Sequence, residues 1–373
     1  MRQLLKFELY KIFKQRTVYL TFFLLLLFTT GFTYNYTPDW EKDMYREWEG
    51  PLTAEKVELA GKQNAKFNER VEERIAKGQE VEDGVFVNEK EQTEGIIYEM
   101  IAFIKGSETQ LKNRYKEIDQ KQDYNTELEK AMIQKVDVSN FAYNKGPAKI
   151  IEYTSLYAIL LTGCMLLIGL SATYTKEYSS GVDQYILSSS KGRKSLLWSK
   201  VLAGFIYTAS VVIAWEIFNL TWNGIQYGFS GWSTPIQNIF EYYFSPYSFT
   251  MIEYHLIQLS FHLLAALSFT LCIILVSSLS KNALTSFFIN GAILGIPFMI
   301  VGGMSLPNWI EYLFSFSFFY IMQVEFFFAH FHTFNLFGMP LLYPIAALFW
   351  LAGLSLVIVL AAKRIIQQKE ATL

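Results

Sequence analysis

The sequence predicts an all-α polytopic membrane protein: six transmembrane helices plus a mainly helical extracytoplasmic domain. Three observations predict it. About half of the 373 residues are hydrophobic, at 52%, yet the charged side chains are concentrated in one region rather than spread over a soluble surface. Six apolar runs are each long enough to supply the roughly 20 helical residues that cross a bilayer core about 30 Å thick. Between Lys200 and Lys363 the only basic residue is Lys281, and basic residues beside spans mark the cytoplasmic side.

Residues 1–16 read as a cytoplasmic amphipathic helix carrying Arg2, Lys6, Lys11, Lys14 and Arg16. Residues 17–36 hold the first span, Thr17–Tyr34. A signal peptide is disfavoured there, because the basic flank is long and Thr-Thr-Gly-Phe-Thr offers no small-x-small cleavage site. Residues 150–362 hold the others: Ile150–Tyr174, Val201–Ile225, His255–Leu279, Thr285–Met304 and Leu341–Ala362. With the N-terminus inside, six crossings bring the Lys176–Lys200 loop, Lys281 and the tail at 363–373 to the same side. The multi-pass chain thus has both termini in the cytoplasm.

Residues 37–149 are then extracytoplasmic, and long translocated domains are exempt from the charge rule. Thr53 is an expected N-cap and Gly78 an expected helix stop. Thr126 and Glu129 have capping-box spacing, and Gly84-Val-Phe-Val-Asn suggests a short extended link. Ile96, Ile97, Met100, Ile101 and Ile104 form one apolar stripe at helical spacing. The insert is either a solvated helical hairpin with a modest core or a lid or ligand-recognition domain. The outer connections Tyr227–Phe249 and Trp309–Phe337 are rich in Trp, Tyr and Phe and lack Lys and Arg, which predicts interfacial or re-entrant segments. Pro297, Pro307 and Pro340 are expected to break helices near them.

The chain contains no Gly-x-x-x-x-Gly-Lys-Ser/Thr phosphate loop, so no ATP hydrolysis is expected of it; Gly192-Arg-Lys-Ser195 lacks the first glycine. It has no Gly-x-Ser-x-Gly elbow, no Cys-x-x-Cys pair and no His-Glu-x-x-His helix. Cys164 and Cys272 fall in spans and read as small apolar fillers. His255, His262, His330 and His332 have no spacing that requires a metal, and hydrogen bonding at an aromatic interface accounts for them. Glu216, with Asn219 close to one turn further on, lies inside the third span. A carboxyl there must be paired, protonated or facing water, which leaves a substrate pathway or an interhelical contact.

The loop 175–200 carries Tyr178, Val182, Tyr185 and Ile186 on one helical face, with Lys176, Glu177 and Asp183 on a solvent-compatible one. Such a helix can dock in a groove on a soluble partner or lie at the headgroups. From the amphipathic Leu4-Leu-Lys-Phe-Glu-Leu-Tyr-Lys11, and from Glu177, Gly181, Leu187-Ser188, Arg193 and Lys200 in that order, the layout resembles a permease subunit of the ATP-binding-cassette (ABC) type-2 exporters. The large insert after the first span matches one branch of that family in position and size. Ser188-Ser-Ser-Lys-Gly stands where the family often has a proline before the Arg193-like position.

The resemblance implies that Glu177, Tyr178, Gly181, Val182, Tyr185, Ile186 and Arg193 couple to ATPase subunits, with Lys281 as a minor second contact. It implies ATP and magnesium on that partner and no cofactor on this chain. It also implies a second permease, identical or related, in a bacterial plasma membrane. The aromatic outer half favours an amphiphilic cargo such as an antimicrobial peptide or lipid. Two rival classes are a membrane-anchored sensor that reads a ligand through the insert, and an intramembrane enzyme using Glu216 with His255 or His262.

Overall fold

The computed structural model describes residues 2–34, 37–77, 89–121, 123–181, 192–303 and 307–371. Gly78, the Gly84–Asn88 link, Val182, Asp183, Tyr185 and Ile186 lie outside them. Among the described residues six helices are long and apolar enough to cross a membrane, which is the architecture of a multi-pass membrane protein. They are α2 (Arg16–Thr33), α7 (Lys145–Leu170), α9 (Gly192–Tyr227), α10 (Met251–Leu279), α11 (Ala283–Gly303) and α15 (Tyr343–Ala371). Before α2 comes α1 (Arg2–Phe13), and α8 (Thr175–Ser180) follows α7.

The helices α7, α9 and α10 pack on one another and form the centre of the bundle. Their buried apolar residues, among them Tyr153, Leu166, Tyr207, Trp215, Phe269 and Ile273, belong to one continuous core. The helices α2, α11 and α15 lie around it and turn large apolar side chains outward: Phe23 is 64% exposed, Met299 71% and Phe349 69%. Such rows would destabilise a soluble protein and suit a lipid-facing surface. Small residues allow close approach at several points, two of them at α7. Any Cβ on Gly169 would meet the Tyr207 ring, and one on Gly146 would run into the Gly228 carbonyl oxygen, where φ of Gly228 is +84°.

The polar insert is built from α3 (Asp39–Trp48), α4 (Ala54–Ala76), α5 (Glu89–Asp119) and α6 (Thr126–Ile133). A two-residue ladder, β1 (Gly50–Pro51) with β2 (Asn140–Phe141), closes its base. Thr53 caps α4 as expected, its hydroxyl accepting from the Lys56 N–H at 3.3 Å. The apolar stripe of α5 is also present. Ile97, Ile101 and Ile104 are buried against Tyr45, Val138 and Phe141, Met100 packs beside them, and Ile96 stays exposed. No capping box forms at Thr126, because Thr126 is already the first helical residue and Asn125 holds the cap. Its hydroxyl accepts from the Asp123 N–H, while Glu129 turns away to accept from Arg114 at 2.8 Å.

The aromatic connections fold back against the bundle. After α9 the chain makes 3-10 turns at Ile236–Asn238 and Phe240–Tyr242. It enters α10 through a capping box in which the Thr250 hydroxyl accepts from Glu253 N–H and the Glu253 carboxylate from Thr250 N–H. After α11 come α12 (Asn308–Ser315), α13 (Phe318–Gln323) and α14 (Glu325–Ala329). Ile321 and Met322 are fully buried, and the Met322 carbonyl lies 3.0 Å from His262 Nδ1, eleven residues or about 16 Å into α10. The segment is therefore re-entrant into the helix bundle. A hairpin of β3 (Thr333–Leu336) and β4 (Met339–Leu342) then leads to α15. Its two-residue turn has positive φ at both Phe337 and Gly338. Thr333 bonds Tyr124 and Asn125, tying the hairpin to the insert.

Two proline expectations are corrected. Pro297 lies inside α11, which continues to Gly303, and Pro340 sits in β4 opposite Asn335. In a two-stranded ladder each strand has a free edge, where a missing N–H costs nothing. Of these three prolines Pro307 alone marks a helix boundary, as the N-cap of α12. At the tight approach between α7 and the turn after α9, Gly146→Ala is expected to force the two apart and destabilise the fold by about 1–3 kcal/mol. Thermal unfolding in detergent, with Gly163→Ala against a movable Leu294 methyl as the comparison, checks this; equal losses would count against a backbone clash.

Candidate functional site

Two buried polar clusters hold the bundle at different levels. The first joins α1 to the ends of α7, α8 and α9. In α1, Leu5, Leu9, Ile12 and Phe13 face the core while Phe7 and Tyr10 face out. Glu8 lies on the inward side and is 3% exposed. It meets Lys200, from α9, which is 1% exposed and donates to the two Glu8 oxygens at 3.2 and 3.3 Å. Lys200 also donates to Glu177 at 2.7 Å and to the Thr173 carbonyl at 2.9 Å, with its ammonium 4.8 Å from the Tyr174 ring centre. Lys11, one turn after Glu8, donates to Glu8 at 2.8 Å and to Glu177 at 2.6 Å.

Two carboxylates and two ammonium groups thus neutralise one another where water is largely excluded. Each needs the others, because an isolated charge at such burial costs several kcal/mol. Burial alone would push the Lys11 ammonium below its ordinary value. Glu8 and Glu177 overcome that and hold it above. Beside the cluster, α1 and the ends of α7 and α8 border a groove of about 470 Å³ lined by Phe7, Tyr10, Lys14 and Lys176.

The expected coupling residues divide. Glu177 is not at the solvent-compatible position anticipated for it; it is 7% exposed and fixed by Lys11 and Lys200. Helical spacing alone could not reveal that, because Lys200 belongs to another helix and Lys11 is 166 positions away. Tyr178 is half-buried and donates from its hydroxyl to the Ser278 carbonyl at the end of α10, at 3.2 Å. Gly181 ends α8 with φ +67°, a conformation that favours glycine. Lys281 is exposed in the turn from α10 to α11, three residues beyond Tyr178's partner. Arg193 falls in the first turn of α9. Val182, Tyr185 and Ile186 lie outside the described residues.

The second cluster links α7, α9 and α10. His255 Nε2 and Glu216 Oε1 are 2.9 Å apart. The Asn219 amide donates to Glu216 Oε2 at 3.1 Å and to the Ile150 carbonyl at 3.1 Å, and Asn223 donates to Asn219 Oδ1 at 2.8 Å. Gln258 donates to Ser155 and to the Ile151 carbonyl. Glu216 and Asn219 are therefore an interhelical contact, and His255 completes it. Further along α10, His262 lies between the Thr162 hydroxyl and the Met322 carbonyl. A carbonyl only accepts, so neutral His262 carries its proton on Nδ1 and accepts at Nε2. Thr162 also accepts from the Trp215 indole at 3.0 Å.

Among the described residues no three His, Cys, Asp or Glu side chains converge as metal ligands, and Cys164 and Cys272 are both free thiols. Comparison with protein-family models, with curated proteins and with solved structures returns no match. The geometry therefore stands alone. Lys200→Met should leave the two buried carboxylates, Glu8 and Glu177, with Lys11 alone between them and cost about 3 kcal/mol or more. Adding Glu177→Gln should recover part of that loss. Denaturant or thermal titration of the single and double variants checks the coupling, and simple additivity would remove it.

Proposed function

We propose that this chain is the permease subunit of an ABC exporter, with the end bearing α1 and α8 in the cytoplasm and the insert outside. The observation that carries the reading is the buried Glu8–Lys11–Glu177–Lys200 cluster. It makes α1, the end of α7, α8 and the start of α9 one unit, immediately flanking residues 182–191. A partner docked on that segment would move more than the segment itself. Force would pass through fixed ion pairs into two central helices. Tyr178 extends the unit to α10 through Ser278. A coupling element needs this stiffness, whereas a headgroup anchor does not.

ATP and magnesium belong on the partner ATPase, since this chain has no phosphate loop. ATP-driven closure of two such subunits would tilt α7 and α9 and open the path outward. A second permease, identical or related, completes the transporter. The aromatic connections of the outer half favour an amphiphilic cargo, a peptide or lipid taken from the cytoplasm or inner leaflet.

A second reading is intramembrane acid–base chemistry at Glu216 and His255, favoured by their 2.9 Å contact. The exporter reading predicts that Glu216→Gln keeps the interhelical hydrogen bonds and changes cargo-stimulated ATP turnover of the assembled complex by less than about threefold. Loss of function in a fully folded Glu216→Gln protein would favour the enzyme. The reading as a whole is tested by affinity capture of the tagged chain in mild detergent with mass spectrometry. A soluble ATPase should be retained by the natural chain and lost from the Tyr185→Asp, Ile186→Asp double variant. Absence of any ATPase, where a control transporter keeps its own, would favour the sensor instead.

A further inference from the structure

A cleft of about 570 Å³ lies where the insert meets the start of α7 and the 3-10 turn after α9. That volume is in the range of small-ligand sites. One wall is apolar, with Ile96 and Met100 from α5 and Trp40 from α3. Another is charged: Glu41, 8% exposed, accepts from Lys145 at 2.9 Å, and Glu89 lines the rim. With Glu41 and Glu89 set against Lys145, the lining carries one net negative charge.

Asn238 supplies the decisive feature. It lines the cleft at 8% exposure, and neither its side-chain oxygen nor its nitrogen has a hydrogen-bond partner within the protein. Its backbone is secured, with the N–H donating to the Pro235 carbonyl at 3.1 Å. The side chain alone is left open. A buried carboxamide unpaired at both atoms is costly, so its retention calls for a group that donates and accepts together. A peptide bond does so in the plane that a carboxamide offers. Next to it the wall of Ile96, Met100 and Trp40 fits an apolar side chain, and Glu89, beside the Glu41–Lys145 pair, fits a cationic one.

We propose that this cleft is a binding site for a short peptide segment that carries apolar and basic side chains, held through its backbone amide by Asn238. The site is independent of the coupling cluster and would exist whether the chain exports or senses. A saccharide also donates and accepts, but it would need several polar partners where this cleft offers a wide apolar wall.

The test uses the full chain in lipid nanodiscs and the capped tripeptide acetyl-Leu-Lys-Leu-amide, read by saturation-transfer NMR. Saturable transfer is expected, weakened about tenfold or more by Asn238→Ala with no fall in melting temperature, because an unsatisfied group has been removed. Ile96→Asp, at a side chain already 43% exposed, should weaken it likewise by charging the apolar wall. No saturable transfer at millimolar peptide, or binding unchanged in both variants, would overturn the site. Displacement of the peptide by N,N′-diacetylchitobiose at lower concentration would overturn the peptide assignment. A loss of stability in ligand-free Asn238→Ala would mean that the amide serves the fold instead, and would overturn its proposed role.

Discussion

Lys200 is the constraint on which the arrangement of the bundle end depends. Its ammonium is 1% exposed and touches Glu8, Glu177 and the Thr173 carbonyl, so three chain segments converge on one atom. A buried ammonium is tolerable only with its countercharges in place, and without it Glu8 and Glu177 would share the single charge of Lys11. The amphipathic helix α1 is consequently not a loose lipid-anchored leader. Its apolar residues pack into the main core, and Glu8 sits between Lys11 and Lys200.

Inside the bundle the same logic operates with fewer charges. Hydrophobic burial distinguishes poorly between helix neighbours where lipid is as apolar as leucine, so hydrogen bonds and close packing select them. Here Glu216, Asn219 and Trp215 on α9 bond His255 on α10 and Ile150, Thr154 and Thr162 on α7. His262 brings the re-entrant α13 into the same network through Met322. The peripheral helices α2, α11 and α15 have a smaller buried share and carry most of the outward apolar surface, which fits a centre fixed by polar contacts and a rim facing lipid.

The insert has its own small core around Ile97, Ile101 and Phe141, yet it is stitched to the rest. Ser107 donates to the Tyr243 carbonyl at 2.8 Å, Tyr124 bonds Thr333, and Lys145 at the head of α7 pairs with Glu41. These contacts are polar and local, so movement of α7 and movement of the insert are physically linked. The cleft bordered by Trp40 and Asn238 lies on that seam, where occupation by a ligand would be felt by both.

How much of this was legible in the sequence follows from the range of each signal. Apolar run length and helical periodicity are local quantities, and they alone determined the helical class, the six long apolar helices though not where each of them ends, the Thr53 cap and the α5 stripe. Aromatic density without Lys or Arg anticipated segments returning into the bundle, because such surface cannot remain in water. The Thr126 box and the breaks at Pro297 and Pro340 failed because caps and prolines are decided by the backbone path around them. Glu8, one acid among basic neighbours on an amphipathic helix, was a signal within reach, but nothing local names a partner 192 positions away. Whether a charged or amide side chain ends in solvent, in an ion pair or unpaired in a cleft depends on which distant elements meet it. Only the tertiary structure decided that for Glu177, Glu216, Lys200 and Asn238.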